Sequence, residues 1–154
     1  GWALHAESTL PATIDGIATE PGRPAGGASE HPNGAARLDH VVVRTPDLPR
    51  TTGALKAAGL EVRRVRDAGP DLRQAFLWAG DVLVEVAGPT APTGDAPAAL
   101  WGLVVVVPDL EDGLSQLIQR LPAQGVARLR TIDRHGGDRP FPLQANVLDG
   151  MHPP

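Results

Sequence analysis

Two stretches of this chain repeat one another. Leu38–Leu48 reads LDHVVVRTPDL, and Leu100–Leu110 reads LWGLVVVVPDL. Aligned on the shared Pro-Asp-Leu they match at Leu38/Leu100, Val42/Val104, Val43/Val105, Pro46/Pro108, Asp47/Asp109 and Leu48/Leu110, 62 positions apart. Each copy is a β-branched run that stops at a proline and is followed by an aspartate suited to cap a helix. A strand–turn–helix unit that recurs in this way predicts a duplicated module, with each copy built on the same plan.

The residues after the first copy extend the plan. A strand over Leu38–Thr45 leads to a helix from Asp47 to Ala58, with Pro49 in its first turn, Gly59 as its stop and Leu48, Thr52 and Leu55 as its inward face. Three strands follow, Leu60–Arg66, Arg73–Trp78 and Val82–Ala87, separated by Gly69-Pro70 and Ala79-Gly80-Asp81 and closed by Gly88-Pro89. The short second turn implies an antiparallel hairpin. The predicted order is β-α-β-β-β.

After a proline-rich linker, Gly88–Pro97, the second copy supplies a strand over Leu100–Val107 and a helix over Asp109–Leu121. Leu110, Leu114, Leu117, Ile118 and Leu121 give that helix one apolar stripe. Val126–Asp133 and Leu143–Leu148 read as strands, two where the repeat asks for three, so the second module is incomplete or divergent. Ahead of the first copy, Trp2–Ala6 and Ala12–Ala18 read as short strands, with Asp15-Gly16 interrupting the second, and Glu20–Ala36 as a linker. The expected domains are residues 1–37 (the tail of an upstream module), 38–97 (a first module with its linker) and 98–154 (the second).

Composition narrows the functions open to such a fold. A net charge of −4 lacks the clustered positive charge of a nucleic-acid surface. Without cysteine there is no disulfide, thiolate nucleophile or cysteine metal site. No apolar run approaches the roughly 20 residues of a membrane span, and the N-terminus lacks the basic start and apolar core of a signal peptide. The expectation is a cytoplasmic protein, and the Gly-Trp start fits a piece of a longer chain. There is no phosphate loop and no dinucleotide fingerprint, and Ser8, Ser29 and Ser115 do not sit in a nucleophile elbow. With Tyr absent and Lys56, the only lysine, on a helix surface, chemistry falls to a metal, a histidine or a carboxylate.

Side chains alternate across a strand. Val41, Val43 and Thr45 share one face of the first strand and Leu38, His40, Val42 and Arg44 the other; Val82, Val84 and Val86 lie opposite Leu83, Glu85 and Ala87. If the valine faces cover the helix, His40 and Glu85 project from the other side of the sheet. The β-α-β-β-β order, the LDHVVVRTPDL start and the VLVEVAGP end resemble the vicinal oxygen chelate superfamily, which includes glyoxalase I, bleomycin-resistance proteins and extradiol dioxygenases. The resemblance covers Leu38–Leu121.

The resemblance implies an α+β fold in which paired modules form a cupped mixed sheet, with helices outside and a small molecule inside. It also implies a divalent metal, with His40 at the first-strand ligand position and Glu85 at the last-strand carboxylate position, Glu85 doubling as a base. Imidazole nitrogen and carboxylate oxygen suit Zn, Fe, Mn or Ni, and such a metal polarises a substrate oxygen. The second copy departs from this pattern: Gly102 replaces His40, and Gln144 and Asp149 are the nearest candidates for the second carboxylate. A homodimer that exchanges partners, or His5, His31, His135 or His152, would have to complete the set.

Each residue also has a plainer reading. His40 reads equally as a strand histidine bonded to a neighbour, and Glu85 as the ion-pair partner of Arg44, which would otherwise hold an anionic ligand. Trp78 reads as pocket wall or core, as does Trp101. Arg63, Arg64 and Arg66 read as a solvated edge, His31 as a turn residue, and the His135-Gly136-Gly137-Asp138 loop has no ligand spacing. Three functions compete: a metal-dependent lyase, isomerase or dioxygenase; a non-catalytic protein that sequesters its ligand in the manner of bleomycin-resistance proteins; and a degenerate dimerisation module.

Overall fold

A computed structural model describes residues 1–6, 9–23 and 35–109, together with the backbone of 126–132 and 144–149. The chain divides into two compact units, Gly1–Gly27 with Val41–Leu100 and Ala28–His40 with Trp101–Pro154. The fold class is α+β, with mixed pairing of strands and one helix among the described residues. That helix spans 10 residues, and among the described residues no helix is long and apolar enough to cross a membrane.

The first unit opens with three short strands, β1 (Trp2–Leu4), β2 (Thr13–Ile14) and β3 (Ile17–Pro21), in the order β1-β3-β2. β1 runs parallel to β3, and β2 runs antiparallel to it with Ile14 opposite Ile17. Asp15-Gly16 interrupts no strand; it is the two-residue turn between two of them. Its φ values of 47° and 85° are the positive pair that matches the twist of flanking strands. The Trp2 indole N–H donates to Thr19 Oγ1 at 2.8 Å and so ties β1 to β3.

Next come β4 (Arg37–Arg44), α1 (Leu48–Ala57), β5 (Glu61–Asp67), β6 (Leu72–Ala79) and β7 (Val82–Pro89). The helix begins where the sequence places its cap, the Asp47 carboxylate accepting the Arg50 N–H at 2.9 Å. It ends at Gly59, whose N–H reaches Lys56 O at 2.9 Å. Its buried face is Leu48, Thr51 and Leu55. Thr51 takes the place expected for Thr52, because its hydroxyl finds partners in the interior: Thr45 Oγ1 at 2.6 Å and Asp47 O at 3.0 Å. Thr52 instead bonds back along the helix to Leu48 O at 2.8 Å.

Within this unit the strand order is β5-β6-β7-β4. β6 pairs antiparallel with both β5 and β7, so Ala75 faces Val86 and Leu77 faces Val84 across the strands. Those four join Val43, Leu48, Leu55 and Leu60 in one buried cluster that also takes in Ile14, Ile17 and Ala98. The valine faces therefore meet the helix, as the alternation predicts. Each such side chain contributes about 1.5–3 kcal/mol on burial. At Gly88 a Cβ would lie 2.9 Å from Thr45 O, so a side chain there would push β7 off the segment that leads into the helix.

In the second unit the first half of β4, Arg37–His40, joins β8 (Ala99–Val106, from Trp101 onward), β9 (Val126–Ile132) and β10 (Gln144–Asp149) in the order β4-β8-β10-β9. β10 is antiparallel to both neighbours, with Gln144 opposite Val106 and Ile132, and Leu148 opposite Gly102. The helix expected over Asp109–Leu121 lies outside the described residues, as do His31, His152 and the His135–Asp138 loop.

Candidate functional site

Pairing of β5, β6 and β7 decides what stands on the sheet face away from α1. Because Ala75 and Leu77 point into the core, Gln74, Phe76 and Trp78 must point out on the other side. Across β7 they meet Ala87, Glu85 and Leu83, and across β5 they meet Arg66, Arg64 and Glu61. Glu85 is half-buried and sits directly opposite Phe76. Its Oε1 accepts the Gln74 side-chain N–H, and Gln74 Oε1 in turn accepts Arg66 Nε at 2.8 Å. The result is a polar ladder across three strands, from guanidinium to amide to carboxylate. Arg66 also lies over the Phe76 ring, 5.1 Å from its centroid.

Two of the expected site residues thus stand on one face. Trp78 is 41% exposed there, on the side away from the core, which corrects its reading as core packing. Arg44 joins them by alternation, since Val43 points into the cluster, and its side chain is exposed. Beside the arginine that the ion-pair reading gives Glu85, the ladder supplies the Gln74 amide as a partner. Arg66, read as part of a solvated edge, is exposed on the edge strand β5 and from there reaches Gln74 and Phe76. Gln74 and Phe76 were not singled out in the sequence, because only the register of β6 against β7 brings them to Glu85.

His40 belongs to the second unit, at the end of its segment of β4. The ring is 2% exposed, and Nδ1 lies 2.8 Å from Asp39 Oδ2. Asp39 Oδ1 in turn accepts Arg37 Nη1 at 3.3 Å. A carboxylate on Nδ1 fixes the ring's orientation and its tautomer. The second-copy position, Gly102 on β8, offers no ligand atom.

A divalent metal held by protein alone needs three or more histidine, cysteine or carboxylate donors. Among the described residues no three of these come together. His5 is exposed just beyond β1, and the side chains of Gln144 and Asp149 lie outside the described residues. The described donors therefore do not fit a complete metal site.

A second polar cluster lies on the helix side of the same unit, and nothing in the sequence pattern points to it. The Asp15 carboxylate accepts Arg50 Nε at 2.8 Å and Arg50 Nη2 at 3.4 Å, and the Thr51 hydroxyl at 2.5 Å. Arg50 Nη2 continues to Ala96 O at 2.6 Å, and Ala98 N–H returns to Asp15 O at 2.9 Å. An anion beside the first turn of a helix is favoured by the dipole. Here it pins the N-terminal hairpin and the Pro-rich linker to α1. The site-bearing face is thereby backed by a fixed helix. Comparison of the chain with protein-family models, with curated proteins and with solved structures returns no match.

Proposed function

We propose that this chain is a small-molecule-binding protein of glyoxalase-like build, its ligand seated on the sheet face that carries Glu85 and Trp78. The observation that carries the reading is the half-buried Glu85 carboxylate, held by Gln74 among Phe76, Leu83 and Trp78. A half-buried carboxylate costs free energy unless it is bonded, and the Gln74–Arg66 ladder that bonds it fixes a preset polar edge for a ligand. The order β4-α1-β5-β6-β7, with the helix behind the sheet, supports the paired-module, cupped-sheet reading. Ligand-observed NMR with a fragment library tests it. Binders are expected whose signals vanish with Trp78→Ala and with Glu85→Ala and persist with Lys56→Ala. Binders indifferent to the first two substitutions reject the site.

The buttressed histidine favours a second reading, metal-dependent lyase, isomerase or dioxygenase chemistry. Asp39 on Nδ1 of a buried His40 is the pairing that orients ligating histidines. Gly102 weighs against it. Elemental analysis of protein purified without chelator or affinity metal separates the two. Metal bound near stoichiometrically and lost in His40→Ala selects the enzyme, and protein that cannot be loaded leaves the binding protein.

A further inference from the structure

The chemical class of the ligand follows from which hydrogen-bonding groups on this face are already engaged; the inference rests on the binding reading above. The inward acceptors are engaged, Glu85 Oε1 by Gln74 and Gln74 Oε1 by Arg66, while Glu61, at the exposed edge, has only a loose ion pair with Arg63 at 3.8 Å. The donors are not. Arg66 uses only Nε on Gln74, and among the described residues its two terminal nitrogens carry no hydrogen bond. Among those same residues the Arg64 guanidinium and the Trp78 indole N–H carry none either. These groups can donate and cannot accept. The ring faces are Phe76 and Trp78, one same-face step apart on β6, about 7 Å. Arg64 stands opposite Phe76, and Arg66 lies over its ring, so the protein itself supplies the cation that a ring attracts.

We infer that the face takes a planar aromatic anion, its ring against Trp78 and its carboxylate or equivalent acid group toward Arg64 and Arg66. The forked terminal nitrogens of arginine match a carboxylate in bidentate geometry, while Gln74 holds Arg66 in place from behind. An organic cation would meet two guanidinium groups, and the half-buried carboxylate among the rings, Glu85, already has a donor. The chain's net charge of −4 makes this concentration of arginine a local property of the face.

The probes are 2-naphthoate and its cationic counterpart 2-naphthylmethylammonium, titrated while the Trp78 indole N–H signal is followed and assigned by Trp78→Phe. Naphthoate is expected to bind about tenfold tighter than the ammonium, and Arg64→Gln and Arg66→Gln are each expected to weaken it about three- to tenfold. Lys56→Gln, on the helix surface, leaves it unchanged. Tighter binding of the ammonium, or unchanged naphthoate affinity in both glutamine variants, overturns the anion while leaving the binding face in place. Failure of both probes to move the Trp78 signal overturns the class and the face together.

Discussion

Asp15 is the residue whose role sequence reading understated most. The pair Asp-Gly between Ile14 and Ile17 is itself a hairpin signal, legible from the turn chemistry alone. Its partner, Arg50, lies 35 positions away in the sequence, and no periodicity records that distance. Asp15→Ala should cost about 1–2 kcal/mol, because it removes the carboxylate that bonds both Arg50 and the Thr51 hydroxyl, Thr51 keeping Thr45 and Asp47 as partners and Arg50 being about a third exposed. A lower urea midpoint at unchanged slope is the result that shows this. Gly16→Ala should cost at least about 1 kcal/mol, by a different cause. Its φ is 85°, and a Cβ there would lie 2.3 Å from Pro97 Cβ.

At the scale of elements, α1 and the strands beneath it were largely legible. The alternation of Val82, Val84 and Val86 and the cap at Asp47 both follow from residue type and spacing, and both hold. The choice of Thr51 over Thr52 did not follow, since two adjacent threonines differ only in which hydroxyl finds Thr45 and Asp15. Leu55 is fully buried at the centre of the helix face, so Leu55→Ala should cost about 2–5 kcal/mol and Asp47→Ala about 1 kcal/mol, both read from chemical denaturation. Glu85 was visible as an acidic residue in a valine strand. Its ladder was not, because Gln74 and Arg66 come into line only once the β5–β6 register, with its bulge between Val62 and Arg64, is set.

For the molecule as a whole, the repeat at Leu38 and Leu100 announced the strands β4 and β8, and the two units take their residues from both sides of those strands. What the repeat leaves out is the contribution of the N-terminal hairpin. Ile14 and Ile17 share their core with Leu48, Leu55 and Leu77, so residues 1–23 help to close the first unit. Deleting them should lower the thermal midpoint and raise binding of an apolar dye, because the faces of Leu48 and Val84 lose cover. Loss of near-ultraviolet ellipticity beyond that of a Trp2→Phe variant would show that the tertiary packing goes with them.

The Asp15–Arg50 clasp and the Arg66–Gln74–Glu85 ladder are mounted on opposite sides of one sheet. They share no side chain, and a layer of packed valines stands between them. Changes on the two sides should accordingly sum without interaction, so that Asp15→Ala combined with Arg66→Gln gives the stability of the first and the affinity of the second. Such a chassis lets the face away from the helix be rewritten by mutation without forfeiting the ability to fold.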